Sequence, residues 1–213
     1  LAAIAITDRN SLAGVVRAYR ARQILQEQTG DCVRIRSQHR MDSSARQEIG
    51  MPQDIPRPPA SHLPGLIVGC RLVLRDSGVG WIALPTDKPA YQRLTRLLTL
   101  GKRRADKGQC HLDLADLLEG CEGMILIALP GDLSRAAHEI GQLRQRYPGY
   151  VFTGAAPRYD GRDRDWLNRC ALLARQTSAP MVAVGDVLMH RASRRQLADV
   201  LTCMRLGCTI DQI

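Results

Sequence analysis

The sequence predicts an α/β fold in which helices cover a mainly parallel sheet, either open or closed as a barrel. From residue 65 onward, short apolar runs alternate with longer segments whose apolar residues recur every three or four positions. This alternation is typical of strands followed by amphipathic helices. Turn and capping residues separate the segments, and 45% of the chain is hydrophobic but only 4% aromatic. We therefore expect a layered domain with a mostly aliphatic core.

The first strand–helix unit occupies residues 1–25. Residues 1–6 form a short apolar run that predicts a strand, and Asn10 or Ser11 is placed to cap the helix that follows. Leu12, Val15, Val16 and Tyr19 recur in that helix at helical spacing. The chain opens at Leu1, inside the predicted strand, so we expect an upstream piece to be missing.

Residues 26–64 differ in composition from the rest of the chain. Arginines, serines and five prolines are frequent there, aromatic residues are absent, and the apolar residues show little periodicity. Such a segment buries too little apolar surface to offset the entropy lost on ordering. We predict a flexible insert.

Regular structure resumes in residues 65–213. Residues 66–74 and 81–84 predict a hairpin that turns at 76–78. Thr86 or Asp87 caps the next helix, whose buried stripe we expect to end at Gly101. The remaining predicted elements are helices at 112–118, 132–146, 163–176 and 193–205, and strands at 124–129, 150–153 and 181–184.

Composition restricts the environment and the partners. The formal net charge of +9 and a pI near 9.6 indicate a polyanionic partner such as nucleic acid, with a solvated basic surface as the alternative. No run is long enough to cross a bilayer, and no signal peptide is apparent, so we expect no membrane partner. Seven scattered cysteines without a Cys-x-x-Cys motif fit a reducing cytoplasm.

Two groups of residues are candidates for function. In a parallel sheet, working residues lie in loops after the strands; here those loops contain Asp8, Arg9, Asp132, Arg158, Asp160, Asp186 and His190. A basic loop could contact DNA phosphates, be simply solvated, or pack on another domain. Its cations are Lys102, Arg103, Arg104 and Lys107.

Four segments together resemble the error-prone C-family DNA polymerases, which are similar to the polymerase III alpha subunit. They are residues 5–16 (AITDRNSLAGVV), 97–112 (LLTLGKRRADKGQCHL), 158–161 (RYDG), and 185–190 (GDVLMH) with 199–205 (DVLTCMR). The resemblance implies that the chain is an N-terminal fragment carrying the polymerase-and-histidinol-phosphatase (PHP) domain. That domain is a distorted, TIM-like β/α barrel, here incomplete at its N-terminus.

The resemblance also implies a degenerate metal site. Active PHP domains hold a metal cluster through His, Asp and Glu at strand ends, but here Arg9, Arg71 and Leu188 stand at positions where active relatives carry ligands. Arginine stays protonated and has no free lone pair, so we expect no metal in this chain. The remaining Asp8 and Asp186 could pair with Arg9 or Arg71. His190, two positions beyond Leu188, is the other candidate ligand.

We therefore predict a non-catalytic PHP module of an error-prone DNA polymerase, without a cofactor of its own. The resemblance implies that magnesium-dependent DNA synthesis, serving translesion synthesis in DNA repair, resides in a palm domain beyond residue 213. The implied partners are DNA, the downstream polymerase domains, and other mutagenesis or replication proteins. Two alternatives are a metal-dependent PHP phosphoesterase and a stand-alone nucleic-acid-binding module.

Overall fold

A computed structural model of the chain describes residues 2–38, 63–187, 189 and 191–212. The strands are β1 (Ala3–Ile6), β2 (Gly65–Val68), β3 (Cys70–Val73), β4 (Val79–Pro85), β5 (Met124–Pro130), β6 (Val151–Ala155) and β7 (Met181–Ala183). The helices are α1 (Ala13–Gln38), α2 (Lys88–Arg103), α3 (Leu114–Gly120), α4 (Leu133–Arg146), α5 (Asp163–Thr177) and α6 (Arg195–Leu206). Strands and helices alternate as the sequence predicts, and the fold is mixed α/β.

The larger sheet has the strand order β3-β4-β5-β6-β7. β3, β4 and β5 pair antiparallel, whereas β5, β6 and β7 pair parallel. The antiparallel half contains the predicted hairpin, and it makes this sheet mixed. Neither this sheet nor the β1–β2 pair closes on itself within the described strands.

The apolar run at 66–74, predicted as one strand, is two strands that belong to different sheets. β2 pairs in parallel with β1, and the chain passes through Gly69 into β3. A Cβ at Gly69 would lie 2.6 Å from Leu84 and 2.9 Å from Thr7, so only glycine fits at this crossing. A parallel bridge between Arg9 and Arg71 continues the contact of the two chain segments beyond β1.

The hydrophobic core lies between the five-stranded sheet and helices α2, α3 and α4. Trp81 and Leu126 of the sheet, Leu94 of α2 and Ile140 of α4 are fully buried. These large side chains supply much of the apolar area that folding removes from water. The core is largely aliphatic, as the composition predicts.

Helix α2 confirms the predicted cap but not the predicted end. The Asp87 carboxylate accepts a hydrogen bond of 2.7 Å from the backbone N–H of Ala90. Gly101 does not end the helix, which continues to Arg103. Gly101 is instead buried against Cys110, and a Cβ at this position would lie 2.6 Å from the Cys110 sulfur. Glycine therefore allows α2 to pack closely on this segment.

Helix α1 continues past Gln26, where the sequence analysis starts the insert, to Gln38. The rest of the predicted insert, residues 39–62, lies outside the described residues. In the part of the chain that is described, no helix is both long and apolar enough to cross a membrane.

Candidate functional site

A cleft of about 660 Å³ opens where strands β5, β6 and β7 end. Parallel strands bring their carboxyl ends to one edge of a sheet, so the loops after them converge there. Its walls come from the segment after β5, the segment after β6 and the segment after β7, together with Arg71 of β3. The cleft therefore lies where the sequence analysis expects the working residues.

Glycine makes room for Arg71 at one wall of this cleft. A Cβ at Gly80 of β4 would lie 3.2 Å from the Arg71 Nε, closer than side chains normally approach. The guanidinium thus lies directly over the start of β4. From there its Nη1 donates a hydrogen bond of 2.9 Å to the Asp186 Oδ1. This ion pair between Arg71 and Asp186 confirms one of the pairings that the sequence suggests.

Asp8 has a different partner from the one predicted. Its Oδ2 accepts a hydrogen bond of 2.6 Å from the backbone N–H of Gly14, in the first turn of α1. Its backbone carbonyl accepts from the Arg71 N–H at 3.0 Å and from the Cys70 thiol at 3.3 Å. The carboxylate of Asp8 therefore satisfies an unpaired donor at a helix start, where negative charge is favoured.

Arg9 forms no ion pair with Asp8 or Asp186 in the described structure, unlike Arg71. Burial of its guanidinium lowers the pKa of Arg9, and the positive charges of Arg205 and Arg71 lower it further. The smaller contributions of Arg205 and Arg71 arise because like charges raise the cost of ionisation.

The described part of the cleft does not fit the metal cluster of an active PHP domain. Such a cluster needs several lone-pair donors that converge on adjacent ions. Here Arg71 contributes a cation, Asp186 is paired with that cation, and Asp8 bonds to α1. Among the residues that the structure describes, no group of three or more His, Cys, Asp or Glu side chains could hold a metal ion. Leu188 and His190 lie outside them.

Sequence reasoning missed Trp166, which supports another wall of the cleft. The Arg158 guanidinium lies 3.4 Å from the centre of the Trp166 ring, a cation–π contact. The Trp166 indole donates to the Ala156 carbonyl at 3.1 Å, and Asp163 accepts from the Arg158 and Tyr159 N–H groups. The RYDG turn is thereby fixed against α5. The sequence feature that could have identified this contact is the tryptophan in the first turn of α5.

The four cations of the basic loop do not share one surface. Arg104 makes two hydrogen bonds to the Asp116 carboxylate, at 2.9 and 2.8 Å. Arg103 lines a depression between α2 and α3. Lys102 and Lys107 instead line a separate cavity. The predicted set of phosphate contacts is thus divided among three environments.

The chain is 70% identical over 214 residues to an error-prone DNA polymerase of Ruegeria pomeroyi. It is 38% identical to an error-prone DNA polymerase of Rhodopseudomonas palustris and 35% identical to one of Caulobacter vibrioides. Each match covers 100% of this chain.

The chain spans only 19%, 16% and 16% of the length of these three relatives. No protein-family model matches it. The chain is therefore homologous, over its whole length, to one region of the error-prone DNA polymerases, which confirms the resemblance read from its four segments.

Proposed function

We propose that this chain is a non-catalytic PHP-type module of an error-prone DNA polymerase. The single observation that carries the proposal is the Arg71–Asp186 ion pair in the strand-end cleft. A guanidinium placed there neutralises the carboxylate and offers no lone pair to a metal ion. The cleft can brace neighbouring structure, and its described residues lack the set of three or more ligands that a catalytic metal cluster would require.

An architectural role is supported by the way the cleft is built. Arg71 joins three parts of the chain: its side chain bonds to Asp186, its N–H to Asp8, and its carbonyl accepts from Asn10 at 2.9 Å. The Arg158–Trp166 stack fixes the loop after β6 in a similar way. Contacts of this kind hold the loops around the cleft in place.

We also propose that the complete protein, of which this chain is one region, is a DNA polymerase. The relatives' shared description as error-prone DNA polymerases supports DNA-directed DNA synthesis. We further propose translesion synthesis in DNA repair as its setting. We assign the nucleotidyl transfer and its magnesium ions to a palm domain outside this chain. The proposed partners are DNA, the downstream polymerase domains, and other mutagenesis or replication proteins, in the cytoplasm.

Two measurements test the proposal. The coding sequence that adjoins this chain should encode a polymerase palm with paired carboxylates; an unrelated neighbour would reject the polymerase assignment. The purified complete protein should then be assayed for hydrolysis of p-nitrophenyl phosphate with zinc or manganese, in parallel with a variant that carries Asp8→Ala and Asp186→Ala.

The expected result is no hydrolysis above background in either protein. Metal-dependent turnover that disappears in the double variant would instead establish the phosphoesterase alternative. The palm remains intact in both proteins, so DNA synthesis by each confirms that the preparation is folded.

A further inference from the structure

A second cavity, of about 630 Å³, lies apart from the strand-end cleft and has a different composition. Three segments distant in sequence form its walls: the loop after β1, the end of α2 with the loop that follows, and α6. Each segment contributes at least one cation. These are Arg9, Lys102, Lys107 and Arg205, which we call the four-cation cavity.

The positive charge of the four-cation cavity is not balanced within the described structure. Asp106 is the single acidic residue among the lining residues. Across residues 2–38, 63–187, 189 and 191–212, none of the four cations has a carboxylate within 4.0 Å. Because unpaired cations that converge on a concave surface raise the local concentration of anions, this arrangement favours an anionic ligand.

The backbone that carries Arg9 is fixed before any ligand binds. Asn10 adopts a left-handed conformation with φ of 47°. Its side-chain amide donates to the Val73 carbonyl at 3.1 Å, and its amide oxygen accepts from the Val73 N–H at 2.8 Å. These two bonds anchor the loop after β1 to the end of β3.

The opposite wall, formed by the end of α2 and the loop after it, is also fixed by backbone hydrogen bonds. The His111 N–H donates to the Gly101 carbonyl at 2.8 Å, and the Gln109 N–H donates to the Asp106 carbonyl at 2.9 Å. Gly108 adopts φ of 93°, which closes the turn between them. Because hydrogen bonds already order the backbone of both walls, little backbone conformational entropy would be lost when a ligand binds.

We propose that the four-cation cavity binds phosphate groups, in the form of a nucleic-acid backbone or of a free phosphate anion. Phosphate fits this wall chemistry because guanidinium groups bind its oxygens in pairs and lysine ammonium groups act as point charges. The hydroxyl of Ser11 in the loop after β1 and the amide of Gln109 in the loop after α2 add neutral donors, one on each wall. Phosphate contacts of this type position a strand without reading its sequence.

The proposal separates the four loop cations that the sequence grouped together. Lys102 and Lys107 line the cavity, whereas Arg104 is paired with Asp116 and Arg103 lines the depression between α2 and α3. It also adds Arg9 and Arg205, which no local pattern connects to the basic loop. This inference is independent of whether the strand-end cleft hydrolyses phosphoesters.

The test compares two double variants of the complete protein with equal loss of charge. The first, Lys102→Gln with Arg205→Gln, removes two cations of the cavity. The matched control, Arg103→Gln with Arg194→Gln, removes two exposed cations that do not line it. Fluorescence anisotropy measures binding of a single-stranded oligodeoxynucleotide across a salt series, and calorimetry measures binding of inorganic pyrophosphate.

The cavity variant should bind the oligonucleotide about tenfold more weakly than the control, and its salt slope should fall by about 1.4, or about 0.7 for each cation removed. Loss of pyrophosphate binding alone, with oligonucleotide binding unchanged, would support the cavity with a free phosphate anion as its ligand. Equal weakening by both double variants would overturn the proposal, as would a wild-type protein that binds neither probe. Melting curves of both variants ensure that only folded protein is compared.

Discussion

Arg71 and Asp186 lie 115 residues apart in the chain and meet at 2.9 Å in the strand-end cleft. Arg71 belongs to β3 at one edge of the five-stranded sheet, and Asp186 follows β7 at the other edge. The contact therefore links the two edge strands of this sheet at the end where β5 and β6 finish and β4 begins.

A double-mutant cycle of Arg71→Met and Asp186→Asn tests this pair. The two side chains are 32% and 36% exposed, so solvent screens the interaction, and we expect a coupling free energy of about 0.2–1 kcal/mol. Urea unfolding of the four proteins measures it. A wild-type melting temperature that falls on addition of a chelator, with an Asp186→Asn variant insensitive to it, would contradict the pairing.

Two helical glycines should respond to alanine in opposite directions. Gly101→Ala places a methyl group 2.6 Å from the Cys110 sulfur and 2.8 Å from Leu112, so we expect a loss of about 1–3 kcal/mol in unfolding free energy. At Gly141 in α4, nothing lies within 4 Å of the added Cβ. There the greater helix propensity of alanine should stabilise the protein by up to about 1 kcal/mol.

Denaturant unfolding of the two glycine variants, side by side, provides the measurement. Stabilisation by Gly101→Ala would show that α2 does not pack closely on the 110–112 segment.

The Tyr147 hydroxyl should contribute measurably to stability. It donates to the Leu118 carbonyl at 2.6 Å and accepts from the Cys121 N–H at 3.3 Å, which ties the end of α4 to the last turn of α3 and to the residue that follows it. Tyr147→Phe takes this partner from the buried Cys121 N–H and leaves the Leu118 carbonyl with the Arg146 Nε, which donates to it at 3.2 Å, at a cost of about 1–3 kcal/mol. Tyr150→Phe is the control, because Tyr150 is 44% exposed and its change should stay within about 0.5 kcal/mol.

Thermal and urea unfolding measure both tyrosine variants. Equal stability of Tyr147→Phe and the wild type would mean that water replaces the hydroxyl.

Two buried thiols should resist modification in the folded protein. Burial raises the pKa of Cys70 to about 11 and the pKa of Cys121 to about 12. Because the thiolate is the reactive form, N-ethylmaleimide at about pH 8 should label the half-buried Cys208 first and these two only after unfolding. Peptide mass spectrometry reads the order, and rapid labelling of Cys121 in the native protein would contradict its burial.

The same thiols predict a dependence of stability on pH. The folded pKa values lie above the unfolded value of about 8.5, so the folded protein holds these protons more tightly. Their contribution to stability is complete below about pH 8.5 and is lost as the pH rises through 11. Urea unfolding of wild type and a Cys70→Ala variant, across that range, should show a smaller decline in the variant.

Features that depend on neighbours in sequence could be predicted from the residues alone. The Asp87 cap, the hairpin of β3 and β4, and the alternation of later strands and helices follow from local hydrogen bonding and apolar spacing. The family resemblance also rests on contiguous segments, and the match to error-prone DNA polymerases confirms it. These inferences succeed because capping and periodicity act over a few residues.

Features that depend on distant residues were decided by the tertiary structure. Gly101 resembles a helix end, yet packing against Cys110 and Leu112 makes it an interior residue. The run at 66–74 resembles one strand, yet Gly69 divides it between two sheets because Leu84 and Thr7 leave no room for a side chain. The local sequence pattern does not show which residues from distant parts of the chain pack against a given position.

The chain's sequence by itself determined the α/β class, the aliphatic core, the basic charge and the kinship with a polymerase region. Only the folded structure decided which charges meet. It paired Arg71 with Asp186, directed Asp8 to the start of α1, and divided the basic loop so that Lys102 and Lys107 join Arg205. The reason is physical: composition sets how many charges a chain carries, but strand order and helix packing set the distances between them, and electrostatic interactions depend on those distances.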